Sequence, residues 1–194
     1  MIYLDNAATT KPDEEVLAEA VKYYEENFWN PSALYAGGLA VKKRINEIRE
    51  EILKGFPSSF EAVFVSCGSE ADNTAIFSFA KRGNAVTTSG EHSAVYESFC
   101  ELKKRSVEPR FANLNDDGSV NVNDLLSRVD EKTTFVSVVH VNNETGAIND
   151  INAIAELVKK KNPSVIFHSD GVQAYGKIPY RLNDKIDAYS VSAH

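Results

Sequence analysis

Four short stretches of this sequence gather side chains that can bind an anion, move a proton or face a cation. The first is Ser66-Cys67-Gly68-Ser69-Glu70-Ala71-Asp72-Asn73, a small Gly-containing turn that opens a helical pattern. Free backbone N–H groups at the positive end of a helix suit a phosphate, and Ser69 adds a hydroxyl. The same Gly-Ser pair also reads as a plain strand-to-helix turn with an N-cap. The second stretch, Gly90-Glu91-His92-Ser93, places His92 where it can either cap a helix or exchange protons near neutral pH. The third, His140-Val141-Asn142-Asn143-Glu144-Thr145-Gly146, holds two asparagines that either tolerate left-handed backbone or offer an amide to a ligand oxygen. The fourth is Phe167-His168-Ser169-Asp170-Gly171-Val172-Gln173. An acid directly after a buried apolar strand is costly unless a cation or donors meet it, and a protonated heterocycle nitrogen is one such partner.

The elements that must position these stretches alternate. Pro12-Asp13-Glu14-Glu15 reads as a helix start with Pro in the first turn and acids at the positive end of the dipole, running to about Phe28. A second helix is expected over 38–53, with Ile45, Ile48 and Ile52 on one apolar face. Strands are expected at 62–65, 85–88, 135–139 and 165–167, and helices at 69–79, 93–104 and 151–160. Asn115-Asp116-Asp117-Gly118 is a turn signal, and Phe135-Val136-Ser137-Val138-Val139 suits a strand buried on both faces. Repeated βα units imply an α/β fold, a mostly parallel sheet with helices on both faces. Ligands of such sheets bind beyond the carboxyl ends of the strands, and the four polar stretches all fall at that edge.

Bulk properties narrow the function classes. A chain of 194 residues with 43% hydrophobic content can bury one sizeable core. The net charge of -7 and a pI near 5.2 speak against a phosphate-backbone binder, so no bound nucleic acid is expected. No run approaches the roughly 18 apolar residues of a membrane span, and the start has no signal-peptide pattern. Cys67 and Cys100 make neither a disulfide framework nor a CxxC site, so both are read as reduced, packed thiols in a cytoplasmic protein.

Tyr3-Leu4-Asp5-Asn6-Ala7-Ala8-Thr9-Thr10 resembles the opening motif of the cysteine desulfurases, in class V of the pyridoxal 5'-phosphate (PLP) aminotransferase fold. Asn30-Pro31-Ser32, Ser69-Glu70-Ala71-Asp72-Asn73, Glu91-His92, Asn142-Asn143-Glu144-Thr145-Gly146, Asp170-Gly171-Val172-Gln173 and Ser190-Val191-Ser192-Ala193-His194 resemble later motifs, in the family's order. The resemblance spans the chain. It implies a fold-type I PLP-dependent large domain with a mostly parallel, mixed sheet: residues 1–11 as an arm to the active site, 12–194 as an incomplete PLP-binding domain, and a small C-terminal domain lying outside these residues.

Residue by residue, the resemblance implies that Gly68, Ser69, Ser192 and His194 hold the cofactor phosphate. His92 stacks on the pyridine ring and is the catalytic proton carrier. Asp170 faces the ring nitrogen, while Asn143 and Gln173 bond the phenolic oxygen. The implied activity removes sulfur from L-cysteine, leaving alanine and a protein persulfide for a sulfur-acceptor protein, in iron-sulfur cluster assembly or tRNA thiolation. A homodimer is implied as well. The lysine that carries the cofactor follows the family's Ser-x-His triplet, and the polypeptide is expected to continue into it, then to the persulfide cysteine and the arginine for the substrate carboxylate. Two departures stand out: Ala33-Leu34-Tyr35 where the family has a histidine after Asn-Pro-Ser, and Cys67-Gly68-Ser69-Glu70 for Gly-Ala-Thr-Glu. A selenocysteine lyase or another class V enzyme shares the same cofactor motifs, and a non-catalytic fragment lacking the lysine is the competing non-enzyme reading.

Overall fold

Asp13 starts the first helix. In the computed structural model, which describes residues 2–194, its side chain accepts the Glu15 N–H at 2.8 Å and caps α1 (Glu14–Glu26). Pro12 therefore precedes the cap rather than sitting in the first turn. The helix ends at Asn27, and the Phe28 ring stacks on Trp29 with centroids 4.4 Å apart. α2 (Ala36–Ile52) is tied to α1 by Arg44, whose Nε donates to the Tyr23 hydroxyl at 3.0 Å. Ile45, Ile48 and Ile52 are half-buried, as their spacing predicts. α1 buries no residue and leaves Val16, Leu17, Val21 and Tyr24 exposed. These helices belong to a first compact unit ending at Val63, which also takes in His194.

The second unit, Phe64–Ala193, is the βα array. Its helices are α3 (Gly68–Phe79), α4 (Ser93–Leu102), α5 (Val122–Arg128) and α6 (Ile151–Lys161). Its strands are β1 (Gly83–Thr88), β2 (Val107–Ala112), β3 (Thr133–Ser137), β4 (Ile166–Asp170) and β5 (Ala188–Ser190), in the order β2-β1-β3-β4-β5. Each pairing is parallel. The path leaves β1 in one direction for β2 and the other for β3 and β4, so right-handed crossovers put helices on opposite faces. α3 packs with α4 on one face, and α5 with α6 on the other.

Strand alternation then builds two cores. Ala85, Val107 and Phe135 meet Ala75 and Ile76 of α3 and Val95, Phe99 and Leu102 of α4. Val86, Val136 and Phe167, in register on the opposite face, are fully buried, as are Leu125, Ala155 and Val158 of α5 and α6. The turn signal holds: the Gly118 N–H returns to Asn115 O at 3.0 Å, with Gly118 at φ 80°.

The expected elements need two corrections. No strand forms over 62–65, where Val63, Phe64 and Val65 stay exposed: an apolar run becomes a strand only when a neighbour takes its backbone groups, and no described strand pairs with it. β2, α5 and β5 are additions: a six-residue strand beside β1, a seven-residue helix capped by Asn121 and a strand of only three residues. No helix among the described residues is long and apolar enough to cross a membrane.

Candidate active site

Parallel pairing lines up the carboxyl ends of β1, β3, β4 and β5 along one edge of the sheet, and the loops leaving them are bonded to one another. Asn142 Nδ2 donates to Gly90 O at 2.7 Å, joining the loop after β3 to the loop after β1. Val139 N–H donates to Glu91 Oε1 at 3.1 Å, and His140 N–H to Asp170 O at 2.8 Å. Gly171 N–H donates to Ser190 O at 2.9 Å, tying the end of β4 to β5. The start of α3 joins the same edge: a methyl group placed on Gly68 would lie 3.0 Å from Val172 Cγ2 and 3.9 Å from Ser192 Cβ. Gly68, Val172 and Ser192 are therefore neighbours.

The expected site residues take distinct positions. Ser69 is exposed in the first turn of α3, whose N-cap residue Cys67 makes no side-chain cap bond, so the helix start presents N–H groups that no side-chain oxygen covers. His92 is exposed and caps α4, its Nδ1 accepting the Ala94 N–H at 3.2 Å. With Nδ1 an acceptor, Nε2 is the ring nitrogen that carries the proton. Of the two readings that compete in the sequence, the structure bears out capping. Asn142 anchors the loop, accepting Glu144 and Thr145 N–H groups, while its neighbour Asn143 is half-buried. Gln173 Oε1 accepts from Lys177 Nζ at 2.7 Å. His194 groups with the first unit, and its Nδ1 is buried without a hydrogen-bond partner.

Asp170 ends β4, is buried, and accepts the Val172 N–H at 2.9 Å through Oδ1. Burial pushes its carboxyl above the ordinary range, opposed by the Val172 bond and by the nearby His92 ring. Among the described residues no lysine or arginine forms an ion pair with it.

Three further polar groups behind this edge carry no role in the sequence reading. Asp72 on α3 is 1% exposed, and burial followed by the charge of Asp170 pushes it up to about 8, against a bond with Ser190. Glu91 accepts the Thr88 hydroxyl at 2.7 Å and the Val139 N–H, yet burial still pushes it up to about 8 and its Oε2 has no partner. His168 is fully buried, which pushes it down to about 3, and its two nitrogens bond the Ser137 and Ser190 hydroxyls at 2.9 Å. Asp72 Oδ1 and His168 Nε2 lie 3.7 Å apart, but burial holds both neutral near pH 7, so they form no ion pair. The sequence carried one signal for His168: it stands two residues before Asp170 on a strand and so shares its face.

The thiols divide. Cys100 is half-buried in α4, whereas Cys67 is exposed, contrary to a packing role. The Glu70 backbone N–H and then the Ser66 hydroxyl lower the Cys67 thiol below its usual range.

Comparison with known proteins gives a consistent set. The aminotransferase class-V profile matches residues 2–194. Cysteine desulfurase IscS of Clostridium botulinum is 40% identical over 200 residues, covering all of this chain and 50% of that protein. The chain thus spans about half the length of the curated relatives it matches. Among solved structures, a NifS-like protein superposes with a TM-score of 0.89 at 34% identity, over 100% of this chain and 55% of the other. SspA in complex with cysteine gives a TM-score of 0.90 at 26% identity, over 99% of this chain and 57% of the other.

Proposed function

Because the chain belongs to the class-V aminotransferase family, we propose that the carboxyl edge of its sheet binds pyridoxal 5'-phosphate and serves a cysteine desulfurase reaction on L-cysteine. Asp170 is the observation that carries this reading. A buried acid with no basic side chain paired to it fits a ligand that brings its own cation. The rest of the edge matches the group in chemistry: a helix start that no side-chain oxygen caps, with Ser69 and Ser192, for a phosphate, and the amides of Asn143 and Gln173 for a phenolic oxygen.

Bound PLP supplies an electron sink for the charge that develops on the substrate. The chain's residues do the rest. Asp170, aimed by the Val172 N–H, would hold the ring nitrogen in its protonated form. His92, its Nδ1 occupied by the Ala94 N–H, would offer Nε2 for proton transfer at the bound cofactor. Ser69 and Ser192, with the start of α3, would take the phosphate. L-cysteine as the substrate is supported by the names of the relatives and by the cysteine complex of SspA. On resemblance, the reading extends to a homodimer that hands sulfur to an acceptor protein.

The test uses protein expressed from the whole reading frame. With PLP and L-cysteine it should release sulfide and alanine. Keto acid in place of sulfide, or activity on selenocysteine alone, would move the protein to another class V chemistry. Asp170→Asn should keep bound cofactor yet lose on the order of a hundredfold in turnover. Near-normal turnover of that variant would remove Asp170 from the mechanism.

A further inference from the structure

The proposed function leaves Asp72 unused. Glu91, the other buried acid of this edge, has a task in the fold, linking Thr88 to Val139. Asp72 is buried on α3 where that helix packs on β4 and β5, and its Oδ1 finds no hydrogen-bond partner.

The groups around Asp72 define what it can do. From β4 it is faced by His168, whose Nε2 lies 3.7 Å from Asp72 Oδ1, and by Asp170, two residues further along the same strand face; from β5 by the Ser190 hydroxyl; and from the loop before α4 by Glu91, while His92 acts on Asp170. On its own helix, Glu70 turns away to the Ser66 N–H at 2.6 Å. His168 is neutral and bonded to hydroxyls on both nitrogens, so it brings no positive charge to either acid. Asp72 and Asp170 therefore repel each other's charge, with His92 easing it on the Asp170 side alone, and two such buried carboxyls cannot readily ionise together.

We propose that Asp72 is a positioning residue for Asp170: the two form a buried acid pair that holds one negative charge between them until a cation meets Asp170. This rests on the cofactor reading for the identity of the cation. Without one, one carboxyl is ionised and the other keeps its proton. When a protonated ring nitrogen docks, the charge settles on Asp170 and the proton on Asp72, with no proton gained or lost to solvent. Asp72 thereby keeps Asp170 from being a permanent buried charge, yet lets it become an anion where the ligand needs one.

The test is a carboxyl carbon NMR titration of cofactor-free protein from the whole reading frame. In the wild type, both resonances should follow two-step curves that mirror each other, and independent one-step curves would overturn the pair. Asp72→Asn, which keeps the side chain's shape, should weaken proton binding at Asp170 at least about tenfold, one pH unit in midpoint. Asp170→Asn should lower the Asp72 midpoint by a matching amount, since coupling is reciprocal. An unchanged midpoint in either variant refutes the proposal, and a purely structural Asp72 would produce that result. Should one variant fail to fold, the wild-type curves and the other variant still decide. Wild-type protein that never takes up PLP would sink the cofactor reading and leave the titration standing. Uncoupled curves in protein that does bind PLP would sink the pair alone.

Discussion

At the scale of single residues, the site's logic is a matter of where charge is allowed. Asp170 announces itself in the sequence, because an acid closing an apolar strand demands a partner, and the structure buries it as that reading requires. Asp72 is silent in the sequence: inside a helical run it looks like any polar residue, and its burial depends on which strands α3 covers. Gly171 illustrates the same limit. A methyl group there would collide with the Tyr189 ring, a contact made across the β4–β5 pairing by residues eighteen apart in number. Gly171→Ala should therefore lower stability by about 1–3 kcal/mol, the range for overpacking a tight contact. A urea midpoint equal to that of the wild type would show that the Tyr189 ring moves aside freely.

At the scale of elements, the βα alternation was legible because buried strands and amphipathic helices differ in period, and the turn at 115–118 because its glycine is needed at positive φ. What escaped were elements defined by their neighbours. The apolar run at 62–65 lacks a pairing partner, whereas three residues at 188–190 become a strand because β4 offers one. The loop after β3 is likewise held by tertiary bonds rather than by turn chemistry alone. Buried Asn149 accepts the Val120 N–H and donates to Val139 O, both at 2.9 Å. Asn149→Ala strands both backbone groups and should cost about 2–4 kcal/mol, at roughly 1–2 for each. Thermal or chemical denaturation reads this directly, and a loss below about 0.5 kcal/mol would mean water replaces the asparagine.

At the scale of the whole molecule, the buried acids give the cofactor-free fold a pH signature. Asp72, Glu91 and Asp170 have raised folded-state values, so the fold keeps protons that the unfolded chain releases above about pH 4. Their contribution is full below that pH and is lost as pH rises, through about 8 for Asp72 and Glu91. His168 acts oppositely: depressed from 6.5 to about 3, it costs stability as pH falls through that window. Above pH 6.5 the histidine no longer contributes, so stability should fall between pH 6.5 and 8, and Asp72→Asn should flatten the slope. Urea midpoints that rise across this interval would mean that the acids are ionised within the fold at little cost.

The central claim, that Asp170 keeps a protonated heterocycle nitrogen at the carboxyl edge of the sheet, has one direct readout. PLP labelled with nitrogen-15 in its ring, bound to protein from the whole reading frame at pH 8, should show the chemical shift of a protonated pyridine nitrogen, and the Asp170→Asn variant should lose it. An unprotonated ring nitrogen in the wild type, or the same shift in both proteins, would contradict the claim.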